Sequence, residues 1–212
     1  ATARLIQALG ELRHAPAISV ITPHAVSSNT GVRKHALWTL ALMGDANSYN
    51  TLLLAAKNTQ FKKDVSEATQ ALVEYIHQIS EKGNKELAIR ASQDLLGNTL
   101  ESEQQHFRLA ALKALTKAQP AESSKILIKE LNRFDPEYQK EVLKIAGTTV
   151  SDEKIYRQWL KVYKKNSTLQ PEILSMLASV NRSDKFTQEV LVPALASKNS
   201  AVRIVAAEEI AY

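Results

Sequence analysis

The sequence has no cysteine. That one absence removes disulfides, thiolate metal ligands and thiol nucleophiles together. It is compatible with a periplasmic or other extracytoplasmic location as well as with the cytoplasm, so the compartment stays open. Glycine and proline are scarce, 6 of each in 212 residues. Too few glycines are present for a glycine-rich phosphate loop, and no Gly-x-Ser-x-Gly elbow occurs. No apolar run approaches the roughly 20 residues of a membrane-spanning helix, and the N-terminus lacks the basic-then-apolar layout of a secretory signal. The chain opens on ATARLIQALGEL without an initiator Met and stops on EEIAY inside another helix-like pattern. We read it as a piece of a longer protein.

Charge of a single sign is also lacking. The net charge is +5, with 27 Lys and Arg against 22 Asp and Glu. Residues 1–106 are balanced at 10 and 10, and residues 107–212 carry 17 and 12, so the excess sits in the second half with acids interspersed. A net charge of this size is ordinary for solubility, and a phosphate-binding surface is disfavoured.

What the sequence does have is a helical vocabulary. Ala, Leu, Lys, Glu and Gln are abundant, and breakers are few. No segment sustains strand alternation, so an all-α fold is expected. The stretch NTGVRKHALWTLALMG (29–44) sets a pattern that returns in NSAVRIVAAEEIA near the C-terminus. With its Val as anchor, similar places fall at Ala3, Val32, about Val65, Phe107, Tyr138, Leu169 and Val202, at intervals of 29, 33, 42, 31, 31 and 33. Recurrence at this period marks stacked structural repeats whose members cannot bury an apolar face alone. After each anchor the apolar residues keep a 3.6-residue spacing, as in Phe107, Ala111, Leu112, Leu115 and in Tyr138, Val142, Leu143, Ala146.

Between anchored helices there is room for one more helix and two turns, so the repeating element is a helical hairpin. First helices are expected in 16–26, 45–58, 84–96, 121–133, 152–165 and 183–197. The long third interval predicts an extended second helix through VSEATQALVEYIHQISEKGN, stopped by Gly83-Asn84. Asn29, Asn84, Asp135, Ser151 and Asn199 read as N-caps, with Pro136 at a first helical position. Gly44, Gly83 and Gly147 read as C-terminal stops. Pro23 and Pro193 fall inside first helices and should kink them.

These residues resemble HEAT repeats, in particular the short bacterial type of about 30 residues also found in phycobilisome lyase-like proteins. The likeness covers essentially 1–212 as about six hairpins. It implies a right-handed α–α superhelix, a HEAT- or armadillo-like solenoid forming one domain. The middle repeats depart from it: Gln139 and Gln170 stand where Arg33, Arg108 and Arg203 stand in the others, and Pro171 replaces a helix former. The signature consists of packing residues, so it implies a fold and almost no activity.

Arg33, Arg108 and Arg203 share one repeat position. They could form a basic row facing an anionic ligand, but the favoured reading is structural, with each guanidinium satisfying acids or free carbonyls of an adjacent repeat. Tyr156, Trp159 and Tyr163 lie on one helical stripe among Lys154, Arg157, Lys161, Lys164 and Lys165. Aromatics beside cations can stack bases or sugars, and Tyr156, Trp159, Tyr163 and Lys161 form the candidate ligand or partner patch. The favoured alternative is a buried helix face rimmed by lysine stems. His14, His24, His35, His77 and His106 make no i, i+4 pair, so no metal site is assigned. His35 and His106 read as surface or inter-repeat hydrogen-bonders. Neighbours on a helix point about 100° apart, so Glu208-Glu209 and Asp152-Glu153 do not converge for acid–base work and read as solvated or capping charges.

No catalytic or cofactor-binding residue is assigned. The expectation is a non-enzymatic helical-repeat scaffold that binds a protein partner, or a neighbouring domain of its own chain, on the surface lined by second helices. The alternatives are a nucleic-acid-binding or alkylated-DNA repair protein, because some glycosylases are built from HEAT-like repeats, and a lyase-like subunit.

Overall fold

A computed structural model describes residues 2–11 and 16–211. His14 lies outside them. Among the described residues every regular element is helical and none is a strand, as the composition predicts. None of the helices is long and apolar enough to cross a membrane.

Two compact units divide the chain, Ala1–Ala118 and Gln119–Tyr212. The first contains α1 (Thr2–Glu11), α2 (Ala17–Ile21) continuing into a 3₁₀ segment Thr22–Val26, α3 (Thr30–Met43), α4 (Tyr49–Asn58), α5 (Ala68–Glu81), α6 (Lys85–Asn98) and α7 (Gln105–Ala118). Helices α1, α3, α5 and α7 pack side by side in that order, while the 3₁₀ segment lies on α3, α4 on α5, and α6 on α7. The core between these layers is apolar, with Leu37, Leu40, Leu52, Leu72 and Leu95 fully buried. Alternation of first and second helices therefore turns the 3.6-residue stripe of each second helix toward both its partner and its neighbours.

The second unit contains α8 (Ser123–Glu130), α9 (Pro136–Thr149), α10 (Glu153–Lys165), α11 (Gln170–Val180), α12 (Asp184–Phe186), a π-helical turn Thr187–Leu191, α13 (Val192–Ala194) and α14 (Ser200–Ala211). Here α9, α11 and α14 adjoin in order, with α8 on α9 and α10 on α11. Leu127, Tyr138, Val142, Trp159, Ile173 and Leu177 form its interior.

Local chemistry explains most boundaries. Asn29, Asn84 and Asp135 accept from Val32, Leu87 and Tyr138 N–H groups at 3.1, 3.4 and 2.9 Å. Gly44 and Gly83 end helices with φ of +54° and +79°. Pro171 occupies the first turn of α11, where its missing N–H costs nothing. Pro23 coincides with the passage from α-helix to 3₁₀, and Pro193 stands two residues after the π turn. Each proline lacks the donor that a regular helix needs, and the helical register changes there.

Four expectations are corrected. Asp152, not Ser151, caps α10, accepting from Ile155 N–H at 2.8 Å, because a carboxylate one residue closer to the helix is in reach. Gly147 lies inside α9, which runs on to Thr149. Helix α5 is no longer than α3, each having 14 residues. The extra length of the third interval is spent on an irregular segment before α5, where Gln60, Phe61 and Glu67 all take positive φ. Val65 is correspondingly 76% exposed, and the anchor place belongs to Glu67, four residues before the buried Ala71 as Val32 is before Ala36.

Candidate functional site

The recurring Arg position has a defined task. Arg33 Nη1 donates to the Ser27 carbonyl at 2.5 Å, and Arg203 Nη1 to the Ser197 carbonyl at 2.8 Å. Arg108, only 4% exposed, donates to the carbonyls of Leu96 and Thr99 at 2.6 and 2.9 Å. Gln170 reaches back in the same manner, from Nε2 to the Tyr163 carbonyl at 3.2 Å. Carbonyls near a helix end have no partner along the helix, and a donor from the next helix supplies it. The carbonyl partners lie just before the helix that carries the donor, within one hairpin, and the Arg33 charge also acts on Asp64, in the segment before α5.

The aromatic stripe of α10 is interior. Trp159 is 0% exposed, and Tyr156 and Tyr163 are buried. Tyr156 meets Phe186 edge-on, with ring centroids 6.2 Å apart. Burial raises the phenol pKa of both tyrosines. Trp159 Nε1 is buried without a hydrogen-bond partner. Lys161 is exposed, in a polar depression with Asn132, Lys165 and Ser167, so the structure does not bring its ammonium together with the rings.

The other residues singled out by sequence are scattered. His35, His77 and His106 are exposed. His106 sits against Phe107 at 3.8 Å between ring centroids, and partial burial, with the charge of Lys63, lowers its pKa. Glu153 pairs with Arg157 at 2.8 Å. Glu209 accepts from Ser175 at 3.0 Å and pairs with Arg182 at 3.1 Å, binding α14 to its neighbours.

A groove of about 400 Å³ lies between α5 and α7. The two helices run in the same direction, so Val73 faces the Ala110 end and Glu81 meets Lys117 with an N–O distance of 2.8 Å. Val73 and Ile76 form one wall, Ala110 and Ala114 the other, and Leu95 of α6 and Ala111 the floor. His77, Ser80 and Lys113 stand at the mouth. The Lys117 ammonium donates to the Glu81 carboxylate and, with its charge and that of His77, lowers the Glu81 pKa. Lys113 has no acidic partner among the described residues.

Aligning Phe107 of α7 with Glu67 of α5 puts Ala110 and Ala114 opposite Gln70 and Glu74. In α5 that face is filled: Gln78 donates to Glu74 at 2.8 Å and presses on Gly44, while Lys82 reaches the Met43 carbonyl of α3. In α7 alanine leaves the same space empty. The register from Val65 is two residues off and conceals this substitution; an anchor at Glu67 exposes it.

A shallower groove of about 530 Å³ lies between α9 and α11, where Gly147 leaves room beside Met176 and Glu172 Oε2 is buried without a partner. Both grooves suit binding by shape and apolar contact. The α5–α7 walls present no convergent nucleophile and base.

The chain matches no protein-family model and no curated protein.

Proposed function

We propose that the chain is a non-catalytic array of HEAT-type repeats that docks a protein partner, or a neighbouring domain of its own polypeptide, on its second helices. The observation that carries this reading is the α5–α7 groove: an apolar, accessible depression on the second-helix layer, made by alanines where the preceding helix carries long side chains. Supporting it, the recurring residues outside the core cap carbonyls and helix ends, and leave the exposed positions of each hairpin free to vary.

Affinity purification of the tagged protein from its native cells tests the proposal. Charge reversals on exposed positions of α3, α5 and α7 should release the captured partner, and reversals on α4 and α6 should not. Loss from both sets equally, or no protein retained by the unmodified chain, would sink it.

Nucleic-acid binding has one favourable observation, the excess of Lys and Arg over acids in residues 107–212. It also needs stacking platforms, and Tyr156, Trp159 and Tyr163 are inside the fold. Fluorescence anisotropy of labelled DNA at about 150 mM salt should show no saturable binding.

A further inference from the structure

We infer that the α5–α7 groove is the seat of an acidic amphipathic helix contributed by the partner. The inference rests on the scaffold reading above and names the chemistry of what the scaffold holds.

Length comes first. The lining positions run from Val73 to Glu81 on α5 and from Ala110 to Lys117 on α7. At the helical rise this is a trough on the order of 12 Å long, the span of apolar residues at i, i+4 and i+7 of a docked helix. Its depth comes from truncation: Ala110 and Ala114 stop at Cβ where Gln70 and Glu74 extend from α5. Val73, Ala110 and Ala114, each half-buried, then offer the apolar surface that a leucine or methionine anchor would cover, over the buried Ile76 and Leu95.

Charge sets the partner's sign. The mouth carries Lys113, Lys117 and His77 against a single acid, Glu81. Lys117 already holds that acid at 2.8 Å, leaving Lys113 as the cation without a partner among the described residues. A helix with carboxylates beside its apolar stripe would meet Lys113 favourably. A lysine-flanked helix would bring like charge to the same rim, and charge complementarity of this kind decides specificity.

The test uses the whole chain and three fluorescein-labelled helical peptides. All share leucines at i, i+4 and i+7, with flanks of Glu, Lys or Gln. The Glu peptide should bind with a Kd below about 100 µM and at least tenfold more tightly than the Lys peptide. Ala110→Gln with Ala114→Gln fills the trough with side chains of the length that Gln70 and Glu74 give α5 at this place. It should weaken the Glu peptide at least tenfold while the thermal melt stays cooperative. Lys113→Glu should reverse the preference between the Glu and Lys peptides.

Several outcomes overturn the inference: no Glu-peptide binding up to about 1 mM, equal binding of the Glu and Lys peptides, or indifference to the alanine replacements. Decanoate competing at the peptide's own strength would reassign the groove to a small amphiphile. If the double variant retains the partner captured from cells, the groove assignment falls while the scaffold reading stands.

Discussion

Arg33 and Arg203, in the early and the last repeated helices, hold the same partner: each donates from Nη1 to the carbonyl of a serine six residues earlier, Ser27 and Ser197. The local backbone matches as well. Asn29 N–H and Asn199 N–H each donate to the hydroxyl of that serine at 3.2 Å, and each asparagine caps the start of its helix. The repeated motif is thus a short polar hinge, Ser-x-Asn-x-x-x-Arg, that joins two helices of a hairpin.

Burial ranks the arginines. Arg108 is enclosed and satisfies two carbonyls, so Arg108→Met should cost roughly 2–4 kcal/mol in urea denaturation by leaving both without donors. Arg108→Gln should recover part of that loss, as Gln170 does the same work with an amide. Arg203 is exposed, and Arg203→Met should cost less than about 1 kcal/mol. Equal losses at the two sites would contradict the hinge role.

Trp159 should behave as core. Trp159→Ala should destabilise by about 3–5 kcal/mol through the cavity it leaves. Trp159→Phe should be far milder, because the indole N–H it removes has no partner to lose. Acrylamide should quench Trp159 less than Trp38, which is half-buried and donates to Glu67 at 2.8 Å. Faster quenching of Trp159 would mean that its ring reaches solvent.

Asp64 links the irregular segment to pH. Burial by itself would raise its pKa, but bonds from the Ser66 hydroxyl and from the N–H groups of Ser66 and Ala68, with the charge of Arg33, outweigh burial and hold it below 3.8. A lowered folded pKa contributes stability that is fully present above the unfolded value and is lost as pH falls through the folded one. Stability should therefore decline as pH drops below about 3.8. Asp64→Asn should be less stable at pH 7, and the gap to the native chain should narrow by pH 2. A constant gap across that range would show that the carboxylate charge is not what matters.

The stripes after Val32, Phe107 and Tyr138 were legible because burial of a helix face follows directly from a 3.6-residue spacing. Asn29, Asn84 and Asp135 were legible because a cap needs only a side chain and the next turn. Residues 59–67 were not, since Gln60, Phe61 and Glu67 take positive φ without glycine and nothing in their side chains announces it. What holds them is tertiary: Gln104 donates to the Gln60 carbonyl at 2.8 Å, Phe61 is buried, and Glu67 accepts from Lys34 and Trp38 of α3. The α5–α7 groove was hidden for a related reason, because Ala110 and Ala114 read as good helix formers until the neighbouring helix shows what they lack. The stripe Tyr156, Trp159, Tyr163 was legible as a helical face but not as buried or exposed, since lysines rim either kind.

Three glycines separate the forces acting on the second helices. At Gly10 an added methyl would lie 2.5 Å from Thr39 Cγ2, so Gly10→Ala should force α1 away from α3 and cost about 1–3 kcal/mol by overpacking. At Gly44, φ is +54° and the new Cβ would stand 3.0 Å from that of Gln78; Gly44→Ala should cost at least about 1 kcal/mol from backbone strain. Gly147 lies inside α9, and its nearest neighbours to an added Cβ are Met176 Cγ at 3.7 Å and Ser179 Oγ at 3.9 Å, ordinary contact distances. Gly147→Ala should therefore stabilise the second unit by about 0.5–1 kcal/mol, since alanine restricts the unfolded chain and fits the helix without displacement. Thermal melts of the three variants, followed by circular dichroism, should move in opposite directions. A destabilised Gly147→Ala would mean that α9 and α11 approach more closely than their grooved surface allows.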